Sequence, residues 1–210
     1  MVAALFCLGT HTARAHGSMP DGMVMDEENH VHHHAVAPYL RSTANYTVPD
    51  VTLTRSDGKN VKLGEELGDG RAVVLSFIYT SCTTVCPLTS ATLAALQNKL
   101  GDARDQVHLM SISIDPEFDT PSRLRVYAAR FGAGPGWQHY TGTLAASQRS
   151  QRAFDVYRGN KMDHAPVTLV RAQPGAPWVR IDGFATADQL LAELPQAHGA
   201  HAEGQNHAQR

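Results

Sequence analysis

The chain has 210 residues, of which 42% are hydrophobic, and this size and composition allow one domain with a core of its own. The formal net charge is −2, so the chain lacks the basic surface expected of a nucleic-acid-binding protein. These values argue against a nucleic-acid-binding protein and favour a globular domain with a surface of mixed charge.

The first fifteen residues have the pattern of a secretion signal. Residues 2–9, VAALFCLG, are apolar, and residues 13–15, ARA, fit a small-x-small cleavage site before His16. The apolar run is far shorter than the stretch that a bilayer-spanning helix needs. No Lys or Arg precedes this run, which leaves open an upstream start with a membrane tether. We expect residues 1–15 to be a signal peptide and the protein to be periplasmic or otherwise exported.

Two segments of biased composition flank the central part of the chain. Residues 16–45 and 197–210 lack strand or helix periodicity, and we predict that both are disordered tails. Residues 16–34 hold five histidines, three methionines, four acids and no Lys or Arg. Methionine favours Cu(I), and histidine accepts Cu(II) or zinc. The tail is therefore predicted to capture copper weakly, the alternative being a solvated tail with incidental histidines.

Residues 46–196 alternate between strand and helix patterns and are predicted to form one domain. In chain order we predict a hairpin over 51–63, a buried strand over 72–79, a helix over 87–100, a strand over 107–114, a helix from Thr120 to Gly132, a strand or turn over 137–142, a helix over 143–154, a hairpin of 167–170 with 178–181, and a last helix over 186–194. This order predicts an α/β fold with a thioredoxin-like sheet flanked by helices, an N-terminal hairpin and an inserted segment.

Two cysteines, Cys82 and Cys86, follow the predicted buried strand at the start of a helix. If Cys7 leaves with the signal peptide, they are the only cysteines of the mature chain. A disulfide between residues four apart closes a very short loop and removes little unfolded-state entropy, so a structural role is disfavoured. Open α/β sheets place their sites at this end of a strand, and a helix N-terminus favours the thiolate. The pair is therefore predicted to be a redox couple or two ligands of a soft metal.

Three motifs, YTSCTTVCP (79–87), SISIDPEFDTP (111–121) and MDHAP (162–166), resemble those of the Sco family, also called SenC or PrrC. The resemblance extends over about residues 46–195. It implies a copper metallochaperone with a thioredoxin-like fold that helps to assemble the binuclear copper centre of cytochrome c oxidase.

The resemblance also implies the ligands and partners. The copper ligands would be Cys82, Cys86 and His164, and the DPEFDTP segment would serve as a structural loop and helix start. The implied partners are the copper-centre subunit of the oxidase and other copper chaperones or thiol reductants.

Metal chemistry agrees with this interpretation, although it leaves alternatives open. Cu(I) prefers thiolate and accepts imidazole, so two thiolates and one imidazole make a three-ligand site. Zinc would prefer a fourth ligand or water, and Cu(II) would need a further donor. The main alternative to a chaperone is a thiol–disulfide oxidoreductase, with Cys82 and Cys86 as its redox-active pair, acting on cysteines of a copper-receiving partner. A third is a peroxide-handling enzyme on the same fold.

Five further residues near these motifs carry weaker expectations. Asp163 is predicted to bond the imidazole or to cap a turn, and Met162 to pack rather than to bind metal. Pro166 occupies the position where thioredoxin folds carry a cis proline, and both isomers stay open. His108 and His139 lie in strand-like segments and are predicted to be structural.

Overall fold

The computed structural model describes residues 39–194, and all eight of its strands belong to one mixed sheet. The strands are β1 (Leu40–Ala44), β2 (Thr52–Arg55), β3 (Asn60–Lys62), β4 (Ala72–Ile78), β5 (Val107–Ser113), β6 (Trp137–Gly142), β7 (Val167–Arg171) and β8 (Trp178–Asp182). The helices are α1 (Leu63–Leu67), α2 (Val85–Leu100), α3 (Pro121–Arg130), α4 (Leu144–Ala153) and α5 (Ala187–Ala192), with 3₁₀ turns at Gly101–Gln106 and Lys161–Asp163.

The strand order is β1-β8-β7-β4-β5-β6-β2-β3, with β4, β5 and β6 parallel and the other pairs antiparallel. Every residue of β4 and β5 is buried, as expected of parallel strands that are covered on both faces. This burial explains why β4 is an almost continuous apolar run in the sequence, whereas β5 also contains the buried polar residues His108, Ser111 and Ser113. The predicted sheet flanked by helices is confirmed.

Alternation along β4 sends its side chains into two cores. Val73, Leu75 and Phe77 join the cluster under α1 and α4, whereas Ala72 and Val74 join the cluster under α2 and α5. Burying a large aliphatic or aromatic side chain contributes roughly 1.5–3 kcal/mol, so these two clusters hold the central strand firmly. The carboxyl end of β4 is thereby a rigid platform for the residues that follow it.

Helix starts agree closely with the sequence signals. The Thr120 side chain accepts the Arg123 N–H, and Pro121 is the first residue of α3. Thr186 and Gln189 form the predicted capping box of α5. The second helix begins at Val85, two residues earlier than predicted, so Cys86 belongs to its first turn.

The sequence patterns predict neither α1 nor β1. Residues 40–44 fall within the predicted tail of residues 16–45, yet they pair with β8 from Leu40–Asp182 to Ala44–Trp178. The predicted signal peptide, most of the first tail and all of the second lie outside the described residues. Within residues 39–194 all peptide bonds are trans, including that before Pro166, and no helix is long and apolar enough to cross a bilayer.

Candidate metal centre

Cys82 lies on the tight connection between β4 and α2, and Cys86 lies in the first turn of α2. The Cys82 N–H donates to the Tyr79 carbonyl at 3.1 Å, which turns the chain just after the strand. The Cys86 N–H then donates to the Cys82 sulfur at 3.4 Å, so this sulfur lies over the first turn of α2. Both thiols are free, with Cys82 6% exposed and Cys86 1% exposed. The structure thus brings together the two sulfurs of Cys82 and Cys86, as their spacing of four residues predicts.

The two thiols have opposite acidities. Burial on its own raises the pKa of Cys82, but hydrogen bonds from the Cys86 and Thr84 amides and from neighbouring side chains lower it to about 7. Burial raises the pKa of Cys86 far above its ordinary value, and the adjacent Cys82 adds to the shift. Near neutral pH the pair therefore consists of one thiolate in part and one thiol.

Tyr79 connects the cysteine turn to the loop that carries His164. Burial and a hydrogen bond with Cys82 raise the pKa of the Tyr79 phenol to about 12. The same hydroxyl donates to the Met162 sulfur at 3.8 Å. Tyr79 and Met162 each open one of the quoted motifs, but the motifs do not predict this contact, because the two residues are 83 positions apart along the chain.

The DPEFDTP segment fixes the cysteine turn from the side of β5. The fully buried carboxylate of Asp119 accepts the Thr80 N–H at 3.1 Å, the Thr80 hydroxyl at 2.5 Å and the Ser113 hydroxyl at 2.6 Å. A buried carboxylate is tolerated only when it is hydrogen-bonded, and here all three donors come from segments that border the site. The structure confirms this segment as a structural loop and helix start.

His164 follows the short 3₁₀ turn and contacts a different part of β4. Its Nε2 lies 2.9 Å from the Phe77 carbonyl oxygen. A carbonyl only accepts, so Nε2 carries the proton and Nδ1 keeps the lone pair. Burial lowers the pKa of this imidazole, which keeps it neutral. Among residues 39–194, no three His, Cys, Asp or Glu side chains converge as a metal-binding group, so the structure does not bring His164 onto the two cysteines.

Further contacts hold the loop of residues 160–164, called here the histidine loop. The Asn160 side chain accepts the Met162 N–H at 3.0 Å, and Lys161 bonds Asp115 at 2.5 Å. On its other side, His164 lines a cavity of about 360 Å³, which neither cysteine borders. The histidine loop is thus tied to the turn after β5.

The sequence-based predictions for four further residues can be compared with the structure. Met162 is 71% exposed, so the prediction that it packs is wrong. Asp163 is exposed and makes no side-chain hydrogen bond within the described part of the chain, since Asn160 caps the turn instead. His108 and His139 are both buried in the sheet layer, which confirms their structural assignment.

The donor set suits a soft cation or a thiol exchange. Two sulfurs at the start of one helix can chelate Cu(I), which prefers thiolate, and the same sulfurs can also oxidise to a disulfide. A neutral imidazole on an adjacent loop is a suitable third donor through Nδ1 once the loop moves it towards the sulfurs.

Comparisons with known proteins point to one family. Residues 41–197 match the family model SCO1/SenC. The SCO1 protein homolog of Bacillus subtilis strain 168 is 36% identical over 104 residues, which are 49% of this chain and 53% of that protein. The chain therefore spans about half the length of this curated relative.

Solved structures give the same picture. BsSco, a member of the Sco family of cytochrome c oxidase assembly proteins in which a disulfide switch was identified, has a TM-score of 0.62 and 26% identity, over 75% of this chain and 96% of that one. Arabidopsis thaliana ScoI with copper bound has a TM-score of 0.58 and 28% identity, over 69% of this chain and 93% of that one.

Proposed function

Because the chain belongs to the SCO1/SenC family, we propose that it is an exported copper metallochaperone that helps to assemble the binuclear copper centre of cytochrome c oxidase. The observation that carries this proposal is the buried pair of free thiols at the start of α2. Copper is the cargo, received from a donor and passed to the copper-centre subunit of the oxidase.

The acidities of the two thiols suggest an order of binding. Cys82, with a pKa of about 7, offers thiolate to Cu(I) at neutral pH. Cys86 is protonated there, so it releases a proton as its sulfur binds. His164 completes the site when the histidine loop brings its Nδ1 lone pair to the copper, with no proton released because its imidazole is already neutral.

Release follows by ligand exchange. Thiols of the acceptor displace the sulfurs of this chain one at a time, so copper is never free in solution. The oxidation state of copper does not change in this exchange, and each incoming thiol loses the proton that a departing cysteine takes up.

Equilibrium titration of Cu(I) against a competing chelator tests the proposal. We expect Cys82→Ser and Cys86→Ser each to weaken tight binding by at least about 100-fold, because a serine hydroxyl is a hard, protonated donor that Cu(I) binds poorly. His164→Ala should cause a smaller loss, since two thiolates can still hold Cu(I). Circular dichroism serves as the folding control. Unchanged affinity in either cysteine variant would refute the copper site.

A thiol–disulfide oxidoreductase is the second candidate, favoured by the contrast between an acidic and a buried thiol. The Cys82 thiolate would attack a partner disulfide and release one partner thiolate. Cys86 would then lose its proton, attack the mixed disulfide and release the second partner thiol. Such an enzyme should reduce the oxidised acceptor at equal rates with and without copper, whereas a chaperone should retain about one copper per chain after dialysis.

A further inference from the structure

Met162 is a large apolar side chain that the fold leaves in solvent. It is 71% exposed, although its hydrogen-bond partner Tyr79 is buried in the cluster that holds both cysteines. Packing therefore does not explain the residue. Its place in the short turn Lys161–Asp163 puts it two residues before His164 on the histidine loop.

The sulfur of Met162 is held on the cysteine side of this loop. The Tyr79 hydroxyl donates to it at 3.8 Å, and Tyr79 belongs to the same buried cluster as Cys82. One aromatic side chain thus connects the Met162 thioether to the surroundings of the Cys82 thiol. The loop is held in this position by the Asn160 bond to the Met162 amide and by the Lys161–Asp115 ion pair.

The imidazole of His164 faces elsewhere in the same structure. It is bonded to the Phe77 carbonyl, and it becomes a copper ligand only after the histidine loop rearranges. A thioether is a weak hydrogen-bond acceptor, so the bond from Tyr79 is easily given up. It is also a soft, neutral donor that suits Cu(I) and loses no proton on binding.

We propose that Met162 is a transient copper ligand, whose sulfur joins Cys82 in holding Cu(I) as it arrives and departs, while His164 is still bonded to Phe77. This inference rests on the proposed copper-chaperone function. The step is a ligand exchange in which the Met162 sulfur replaces a donor ligand of the incoming Cu(I). No electron is transferred, and His164 later displaces the thioether.

Stopped-flow loading of the full reduced chain from a Cu(I)–chelator complex tests this role. Met162→Leu keeps the apolar volume but removes the sulfur, so we expect loading and unloading to slow about ten-fold while the equilibrium affinity changes by less than about two-fold. Met162→Cys restores a soft donor and should recover the rate. Equal rates in the wild type and Met162→Leu would overturn the proposal, as would a slow rate that Met162→Cys does not rescue.

A double-mutant cycle in the His164→Ala background gives a second readout. Without the imidazole, the Met162 sulfur should remain as the third donor, so His164→Ala with Met162→Leu should bind Cu(I) about ten-fold more weakly than His164→Ala alone. If the cysteine variants lose binding but this pair of variants does not differ, only the Met162 role fails. If Cys82→Ser binds normally, the chaperone function itself fails.

Discussion

Cys82, just before α2, and Cys86, in its first turn, are close together but differ strongly in acidity. The backbone amides at the start of α2 stabilise the Cys82 thiolate, whereas for Cys86 burial and the adjacent Cys82 outweigh a hydrogen bond with the Tyr79 backbone. Sequence spacing predicts that the sulfurs are close but not which of them ionises first. That difference depends on burial and on Tyr79, which no spacing rule identifies. The separation of His164 from the pair also depends on one tertiary contact, the Phe77 carbonyl.

Proton competition should make Cu(I) affinity depend on pH. Cys82 has a lowered pKa of about 7 and Cys86 a raised one, so two protons leave on binding below about pH 7 and one leaves above it. Affinity should therefore rise with pH, by about a hundred-fold per unit below pH 7 and about ten-fold per unit above it, until Cys86 itself ionises. Chelator competition at pH 6, 7, 8 and 9 measures these slopes. An affinity independent of pH would show that the two thiols are not the ligands.

Among the elements, the histidine loop is the one that must change for the proposed site to close. Its ion pair joins Lys161 and Asp115, whose side chains are 41% and 14% exposed. These residues are 46 positions apart and give no local sequence signal. Regular elements are easier to predict, because β4 is an almost continuous apolar run and α3 and α5 have their caps in the sequence. A loop held by distant partners has no such pattern.

Removing the loop's ion pair should favour copper binding. Lys161→Met abolishes the charge but keeps the aliphatic chain, and a partly exposed pair contributes about 1 kcal/mol. If the pair stabilises only the copper-free position of the loop, its loss should increase Cu(I) affinity up to about five-fold. Chelator competition measures the change. The matched control is Lys99→Met, which removes the 2.9 Å pair with Asp188 between α2 and α5 and should leave affinity unchanged. A weaker affinity in Lys161→Met would show that the pair preorganises the bound state instead.

Across the whole molecule, the sequence patterns predict the core of the sheet but miss one edge. Four of the five residues of β1 are exposed, so it shows no alternation of polar and apolar residues. Its position depends on pairing with β8 and on Arg41, which donates twice to Glu193 at 2.6 and 2.8 Å. Such long-range contacts cannot be seen in a window of sequence. The domain therefore begins at least six residues before the predicted boundary at residue 46.

Two truncations distinguish the contribution of the N-terminal tail from that of β1. A variant without residues 16–38 and 197–210 should take up less copper in total and keep one tight site, because the three proposed ligands lie within residues 39–194. Extending the first deletion to residue 44 removes the backbone pairing of β1, at about 1 kcal/mol per hydrogen bond, and should lower the free energy of unfolding by about 3 kcal/mol. Urea denaturation and copper titration measure both effects. Loss of tight binding in the shorter deletion would mean that residues 16–38 supply a ligand.

The direction of β1 decides where a fluorescent label reports on copper transfer. Leu40 pairs with Asp182, and Asp182 pairs with Val167. These residues lie at the end of the sheet where β4 ends and the cysteine turn begins. Leu194, in contrast, lines a cavity with Ala72, the first residue of β4, at the opposite end of the strands. A dye at position 40, where the native side chain is 73% exposed, should respond when an acceptor docks at the thiols. Immobilising the protein on a surface near residue 194 would leave the opposite end of the sheet, which carries the thiols, free to bind the acceptor.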